Sequence, residues 1–286
     1  MQRTILRGMI ACVVLLASGQ VAQAGGSAIA WRRSLAAAQA EAKQSHKLLM
    51  VDFYTSWCGY CKKLDAETYT DPTVIKQTAQ VVTVKVDAEH EGKDLARKYG
   101  VNGFPTIMFL NESGGVEGFF DGFMPAPTFT QSFNNTMKRH QDFLAARARY
   151  HKNGNDVQSA FELVGFFASQ GKSAEAISMQ RQVERLDPKN AKGLLSRSCL
   201  NLGDFYSLRN QFDKSMPLYR RAIHITKVPG EVAAGHLDLA LCHLSQKRPQ
   251  QALVNLKTIQ TIPNCPPELK NAAQQVIAKL RENGIQ

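Results

Sequence analysis

Beyond residue 24 the chain has no apolar run approaching the roughly 18 residues that cross a bilayer as a helix. It has one C-x-x-C, Cys58-Gly59-Tyr60-Cys61, and no His-x-x-x-His follows it. A structural zinc site takes about four ligands, so the pair does not read as a metal site. No glycine-rich phosphate loop is present; Gly114-Gly115 reads as a hairpin turn. Lone histidines such as His46 and His90 have no Cys or Ser partner of the kind a hydrolase needs. Basic charge is in excess, at a formal +11, but it is dispersed. Its one cluster, Lys138, Arg139, Arg147, Arg149 and Lys152, reads as a solvated face, so no nucleic-acid partner is expected. With 44% hydrophobic and 21% charged residues over 286 positions, the composition is globular and long enough for two domains.

Arg3 and Arg7 form a positive leader, Met9 to Ala17 a short apolar core, and Ala22-Gln23-Ala24 a small-residue cleavage pattern. That is an export signal over residues 1–24, too short to span a bilayer comfortably. The arginines are not adjacent, which argues against a twin-arginine signal, and Cys12 precedes most of the apolar core, which argues against lipidation. Removal of two arginines and no acid leaves 11 − 2 = +9. The expected location is periplasmic, where disulfides persist, with no membrane span after cleavage.

Ala28 to His46 reads as one helix, from the recurrence of Trp31, Leu35, Ala38 and Ala42. Leu48 to Thr55 is a strand apolar on both faces, as in a central parallel strand. A helix runs from Cys58 to about Tyr69, and Thr70-Asp71-Pro72 starts another. Val81 to Val86 is a strand; Glu91 to Tyr99 is a helix stopped by Gly100. Thr106 to Leu110 and Val116 to Phe123 form a hairpin, and Pro127 to about Tyr150 is a helix with Phe129, Phe133, Met137 and Phe143 on one face. The order is α-β-α-β-α-β-β-α.

A C-x-x-C at a strand-to-helix turn beside such a pattern is a redox motif. The thiolate is the nucleophile, and Cys58 falls where free N–H groups and the helix dipole favour negative charge, with Lys62 and Lys63 nearby. Cys58 is therefore expected to attack, with a lowered pKa. Cys61, one turn on and more buried, is expected to resolve the mixed disulfide. A purely structural disulfide is the competing reading.

Val51-Asp52-Phe53, Trp57-Cys58-Gly59-Tyr60-Cys61-Lys62, Val84-Lys85-Val86-Asp87 and Lys98 through Thr106 resemble, in order and spacing, the thioredoxin family over Ala28 to Gln141. Trp31 and Thr70-Asp71-Pro72 are similar to its periplasmic branch, and Gly59-Tyr60 to the dipeptide of periplasmic disulfide isomerases. The resemblance implies a thioredoxin fold, a central mixed sheet flanked by helices, and no cofactor. It implies a redox-active Cys58–Cys61 disulfide. It makes Asp52 a buried carboxylate that moves a proton at the resolving cysteine, with Lys85 as its partner. On residues alone Asp52 also fits a surface acid at a strand end, and Lys85 a surface lysine. The resemblance further implies a cis bond before Pro105 and a client surface of Trp57, Gly59, Tyr60, Phe104 and Pro105.

After Tyr150 the pattern is helical only. Ala176, Ser215 and Ala252 recur at spacings of 39 and 37 in a shared frame, which resembles tetratricopeptide repeats of period 34. Pro217 is expected to kink its helix or mark a late start, and Pro267 to Arg281 to cap the array. An irregular helical bundle is the plainer alternative. Cys199 and Cys242 fall on successive first helices, where packing is favoured over pairing, and Cys265 reads as an exposed odd thiol in a Pro-rich turn.

The expected organisation is an export signal at 1–24, a thioredoxin-like domain at 25–145, a linker or helix extension at 146–158 and an all-α repeat domain at 159–286. The expected function is an exported thiol–disulfide oxidoreductase acting on protein dithiol or disulfide clients, re-set by an upstream redox partner. A protein partner would sit on the repeats. The alternative is a repeat-based interaction protein whose first domain docks or senses redox state; net oxidation is a third possibility.

Overall fold

The computed structural model describes residues 28–32 and 34–285. The export signal expected at 1–24 lies outside the described residues. In the five-stranded sheet the order is β1(Trp31–Arg32), β3(Val82–Asp87), β2(Leu49–Tyr54), β4(Thr106–Leu110), β5(Val116–Asp121). β1 and β2 run parallel to β3, whereas β4 is antiparallel to β2 and β5 antiparallel to β4. β2 is central because its side chains are apolar on both faces. Met50 joins Ile107, Phe109, Phe129 and Phe133 in one core layer; Val51 and Phe53 join Ala38, Val84 and Ala96 in the other. The layers are closed by α1(Leu35–Ser45) and α4(Lys93–Tyr99) on one side and by α3(Pro72–Thr78) and α5(Ala126–Lys152) on the other. Between β2 and α3 lie α2(Gly59–Lys63) and a π-helical turn, Leu64–Thr68.

Local chemistry sets the boundaries. Asp71 caps α3 by accepting from the Thr73 and Val74 amides, with Pro72 in its first turn. Gly100 ends α4 at φ 68°, a left-handed conformation that glycine adopts without steric cost. The single helix expected over Ala28–His46 is corrected. Trp31–Arg32 is instead a short edge strand on β3, and the helix starts at Leu35 after the Ser34 cap. The Trp31 ring packs edge-on against Tyr69 at 5.1 Å, so tertiary burial extends this segment where helical periodicity would have continued it.

From α5 onward the chain is helical: α6(Val157–Ser169), α7(Ser173–Leu186), α8(Leu194–Ser207), α9(Phe212–Ile225), α10(Pro229–Ser245), α11(Pro249–Thr261) and α12(Pro267–Glu282). α6 packs on α7, α8 on α9 and α10 on α11, with α12 against α11. Ala176, Ser215 and Ala252 have no exposed surface; each is a close-approach point where a larger side chain would push its helix away. α9 begins at Phe212 and runs through Pro217, so that proline does not mark a late start. Cys199 and Cys242 are buried free thiols on α8 and α10. The expectation of an exposed Cys265 is overturned. It is 7% exposed and packs with Ala233, Leu253 and Ile277, because the Pro-rich turn folds back onto the core under α12. Among the described residues no helix is long and apolar enough to cross a membrane.

Gly203 on α8 gives a direct test of this packing. A Cβ there would lie 2.6 Å from the Tyr219 ring. That ring is 1% exposed and its hydroxyl donates to Asp204 Oδ1 at 2.8 Å, so it cannot turn aside. Gly203→Ala is therefore expected to destabilise the protein by roughly 1–3 kcal/mol, overriding the ~1 kcal/mol that alanine gains in a helix. Thermal unfolding followed by helical circular dichroism checks it; an unchanged or raised midpoint would show that α8 and α9 separate easily.

Candidate active site

The candidate site lies where β2 ends. Residues Thr55 to Trp57 lead into Cys58, which caps α2 with extended backbone (φ −70°, ψ 107°). Cys58 and Cys61 form a disulfide, and Cys58 Sγ accepts from the Cys61 amide at 3.0 Å. An amide aimed at this sulfur is the local device that would hold a thiolate after reduction. The expected difference in burial is not found. Cys58 is 4% and Cys61 5% exposed, because the disulfide seats both against the domain. The helix position, not burial, separates their chemistry. Gly59 meets nothing a Cβ would touch, and Tyr60 is 64% exposed.

The Phe104–Pro105 bond is cis, matching the expectation. Trp57 joins its loop to the motif, its ring packing edge-on against Phe104 at a centroid distance of 6.1 Å. The Trp57 indole Nε1 donates to Glu89 Oε2 at 3.0 Å, yet the residue remains 65% exposed. Trp57, Tyr60 and Phe104 thus form an accessible aromatic rim beside the disulfide.

Below this rim Asp52 and Lys85 are register partners on β2 and β3. Asp52 is 1% exposed, so the reading of a surface acid does not hold. Its Oδ2 lies 3.6 Å from Lys85 Nζ, while its Oδ1 is buried without a hydrogen-bond partner. Burial pushes the Asp52 carboxyl up to about 6, against the pull of Lys85 in the other direction. Lys85 is also paired with Asp65, and its ammonium lies 5.4 to 5.6 Å from the rings of Trp31, Tyr54 and Tyr69. Tyr69 itself is buried with an unpartnered hydroxyl, held protonated by burial and by the Asp52 charge.

The structure therefore brings together Asp52 with Lys85, and Trp57 with Phe104, the residue before Pro105. It adds Asp65, Tyr69 and Glu89. Asp65 was within reach of sequence reasoning, since it follows Cys61 by one helical turn. Tyr69 was not, because the π-helical turn, with the Tyr69 amide bonded to Leu64 O, sets where its ring points. No group of three or more His, Cys, Asp or Glu able to hold a metal is found among the described residues.

Residues 35–136 match the family model described as "Thioredoxin-like domain". The chain carries a thioredoxin-like domain. Over 101 residues it is 32% identical to the thiol:disulfide interchange protein DsbD of Photorhabdus laumondii, which covers 34% of this chain and 18% of that protein. Over 149 residues it is 32% identical to protein disulfide isomerase-like 2-1 of Oryza sativa subsp. japonica, covering 51% of this chain and 40% of the relative. These curated relatives are thus matched over less than half their own length. Among solved structures, the C-terminal domain of Neisseria meningitidis DsbD in its reduced form is 27% identical, covering 36% of this chain and 93% of that one, with a TM-score of 0.33. DsbH oxidoreductase is 21% identical, covering 42% of this chain and 91% of that one, with a TM-score of 0.36. The residues matched by the family model, 35–136, end within α5, and the helical region after α5 lies outside them.

Proposed function

We propose that this protein is a thiol–disulfide oxidoreductase that reduces or isomerises disulfides in exported client proteins. The observation that carries the reading is the Cys58–Cys61 disulfide at the start of α2, beside the cis-proline loop and flanked by the exposed side chains of Trp57 and Tyr60. In the reduced protein the Cys58 thiolate attacks one sulfur of a client disulfide, forming a mixed disulfide and releasing the other client sulfur as a thiol. Cys61 then loses its proton and attacks Cys58 Sγ. The internal disulfide forms again and the client leaves as a thiol. Asp52, titrating near 6 and with one oxygen open, is suited to take the Cys61 proton at neutral pH. Lys85 holds that carboxylate in place through Oδ2 and is itself fixed by Asp65. An external dithiol partner must re-reduce the centre for each further reduction; isomerisation returns the electrons without one.

The helical region is proposed as a tetratricopeptide-like module that holds a client or partner, and the compartment as periplasmic. The paired helices and the buried small residues at 176, 215 and 252 support the first; the leader sequence supports the second. The test is reduction of insulin by the full chain with dithiothreitol as donor. Accelerated precipitation of the insulin B chain is expected; no acceleration with any donor would sink the proposal. A redox titration of the pair fixes direction, since such dithiols span about −270 to −120 mV. A value at the oxidising end would make net oxidation the activity.

A further inference from the structure

Strand β5 is an edge of the sheet, and its two ends are tied to different parts of the protein. At one end Asp121 pairs with Thr106, and the Gly122 amide donates to the Pro105 carbonyl at 2.8 Å. At the other end Glu117 accepts from Gln170 Nε2 at 2.8 Å, and Lys172 Nζ donates to Ser113 Oγ at 2.9 Å. The strand therefore runs from the cis-proline to the turn between α6 and α7. A groove of about 1010 Å³ follows it, lined from Phe104 through Phe119 to Gly171 and Arg209.

Three features of this groove point to a polypeptide. An edge strand leaves alternate N–H and C=O groups unpaired, which an extended segment can satisfy by adding as a strand. Phe119 is 58% exposed on that edge, an apolar anchor with no cover. The charge is graded: Asp121 lies at the cis-proline end, while Arg139 and Arg209 line the groove. Neither arginine has an ion-pair partner within 4.0 Å among the described residues. The acid of that region, Glu117, is 3% exposed and committed to Asn111 and Gln170, with His140 Nδ1 3.7 Å from its Oε1. Arg209 is held in place by its hydrogen bond to the Phe205 carbonyl and by stacking 3.9 Å over the Phe205 ring.

We propose that the β5 edge and the α6–α7 turn form the walls of a docking groove for the client chain itself. Its occupant is an extended client segment that carries carboxylate side chains about five residues from the reacting cysteine, at roughly 3.4 Å per residue. The helical module thereby selects clients by sequence next to the disulfide rather than by a remote surface. This rests on the reading of Cys58–Cys61 as the exchange centre.

The test uses the full chain, reduced, in single-turnover reactions with short cysteine peptides carried as mixed disulfides with thionitrobenzoate. Attack by Cys58 on the peptide sulfur releases coloured thionitrobenzoate and leaves the peptide on Cys58. Peptides carry two glutamates or two lysines about five residues from the cysteine, on its N-terminal or its C-terminal side. On one of the two sides the glutamate peptide is expected to react about three- to tenfold faster, the range two solvent-exposed ion pairs supply. Arg209→Glu is expected to reverse that preference, and Phe119→Ser to slow both peptides alike. The mixed disulfide of thionitrobenzoate with mercaptoethanol is too small to reach the groove and reports folding and the centre. Equal glutamate-to-lysine ratios in wild type and Arg209→Glu, with normal reaction of the small disulfide, would overturn the groove alone. If the small disulfide does not react through Cys58, the exchange reading fails and the groove assignment falls with it.

Discussion

Cys58→Ser is expected to lower the rate of disulfide exchange by about 10³-fold or more, the scale on which loss of a covalent nucleophile is felt. Cys61→Ala is expected to do something different: the first attack survives, the release does not, and client adducts accumulate on Cys58. The distinction matters because the two cysteines are equally buried, so accessibility cannot assign their roles. What separates them is position. Cys58 caps the helix and its sulfur receives an amide; Cys61 lies inside the first turn, where its own amide is the donor. A thiolate is favoured at the first place and has no such support at the second. Non-reducing electrophoresis and mass spectrometry of protein purified from cells would show the adducts, and their identification would name the clients. Adducts forming equally through Cys61 in a Cys58→Ala variant would reverse the assignment.

Asp52→Asn is expected to make the oxidised protein more stable at pH 8 and to leave it nearly unchanged at pH 4. The sign follows from the direction of the shift. An unfolded aspartate titrates near 3.9, whereas the buried Asp52 titrates at about 6. The folded state thus holds the proton more tightly. Its advantage is complete below the unfolded value and is lost as pH rises through about 6, where the charge must be kept inside the sheet. A shift of this size corresponds to a penalty on the order of 3 kcal/mol above pH 7. Asparagine removes it while retaining the shape. Lys85 keeps Asp65 as a partner, so the substitution does not leave it unpaired. Both tryptophans, Trp31 and Trp57, lie in the thioredoxin-like domain, so urea unfolding followed by their fluorescence reports this domain. A stability difference that does not change between pH 4 and pH 8 would show that Asp52 is not the titrating group. In exchange assays the same variant is expected to lose the rise in rate through pH 6 that a base on Cys61 would give.

The value of Asp52 to the site and its cost to the fold have one cause. Burial outweighs what offsets the carboxylate's charge, chiefly Lys85, itself shared with Asp65, with a smaller part from the Tyr69 hydroxyl. The carboxyl whose charge this disfavours titrates in the range where, in the proposed exchange, a base on Cys61 would act. The expected gain in stability for Asp52→Asn and the expected loss of its pH-dependent rate therefore belong together.

Sequence by itself determined the centre of this protein. β2 was legible because a run apolar on both faces has one stable place, inside a sheet. Cys58-Gly59-Tyr60-Cys61 carried the redox reading, since two cysteines at a helix start can close and open a disulfide. The Asp52–Lys85 pair and the cis Phe104–Pro105 bond were reached only through family resemblance, because nothing local to them states their neighbours. Tertiary structure decided the rest. It drew Trp31 out of a helix and into a strand by burying its ring on Tyr69, and it covered Cys265 with α12. It also set Asp65 and Tyr69 around Lys85. Above all it laid the α6–α7 turn along the β5 edge, joining two regions that look independent in the sequence. Periodicity reports which face of an element is buried; it carries no information about which distant surface does the burying.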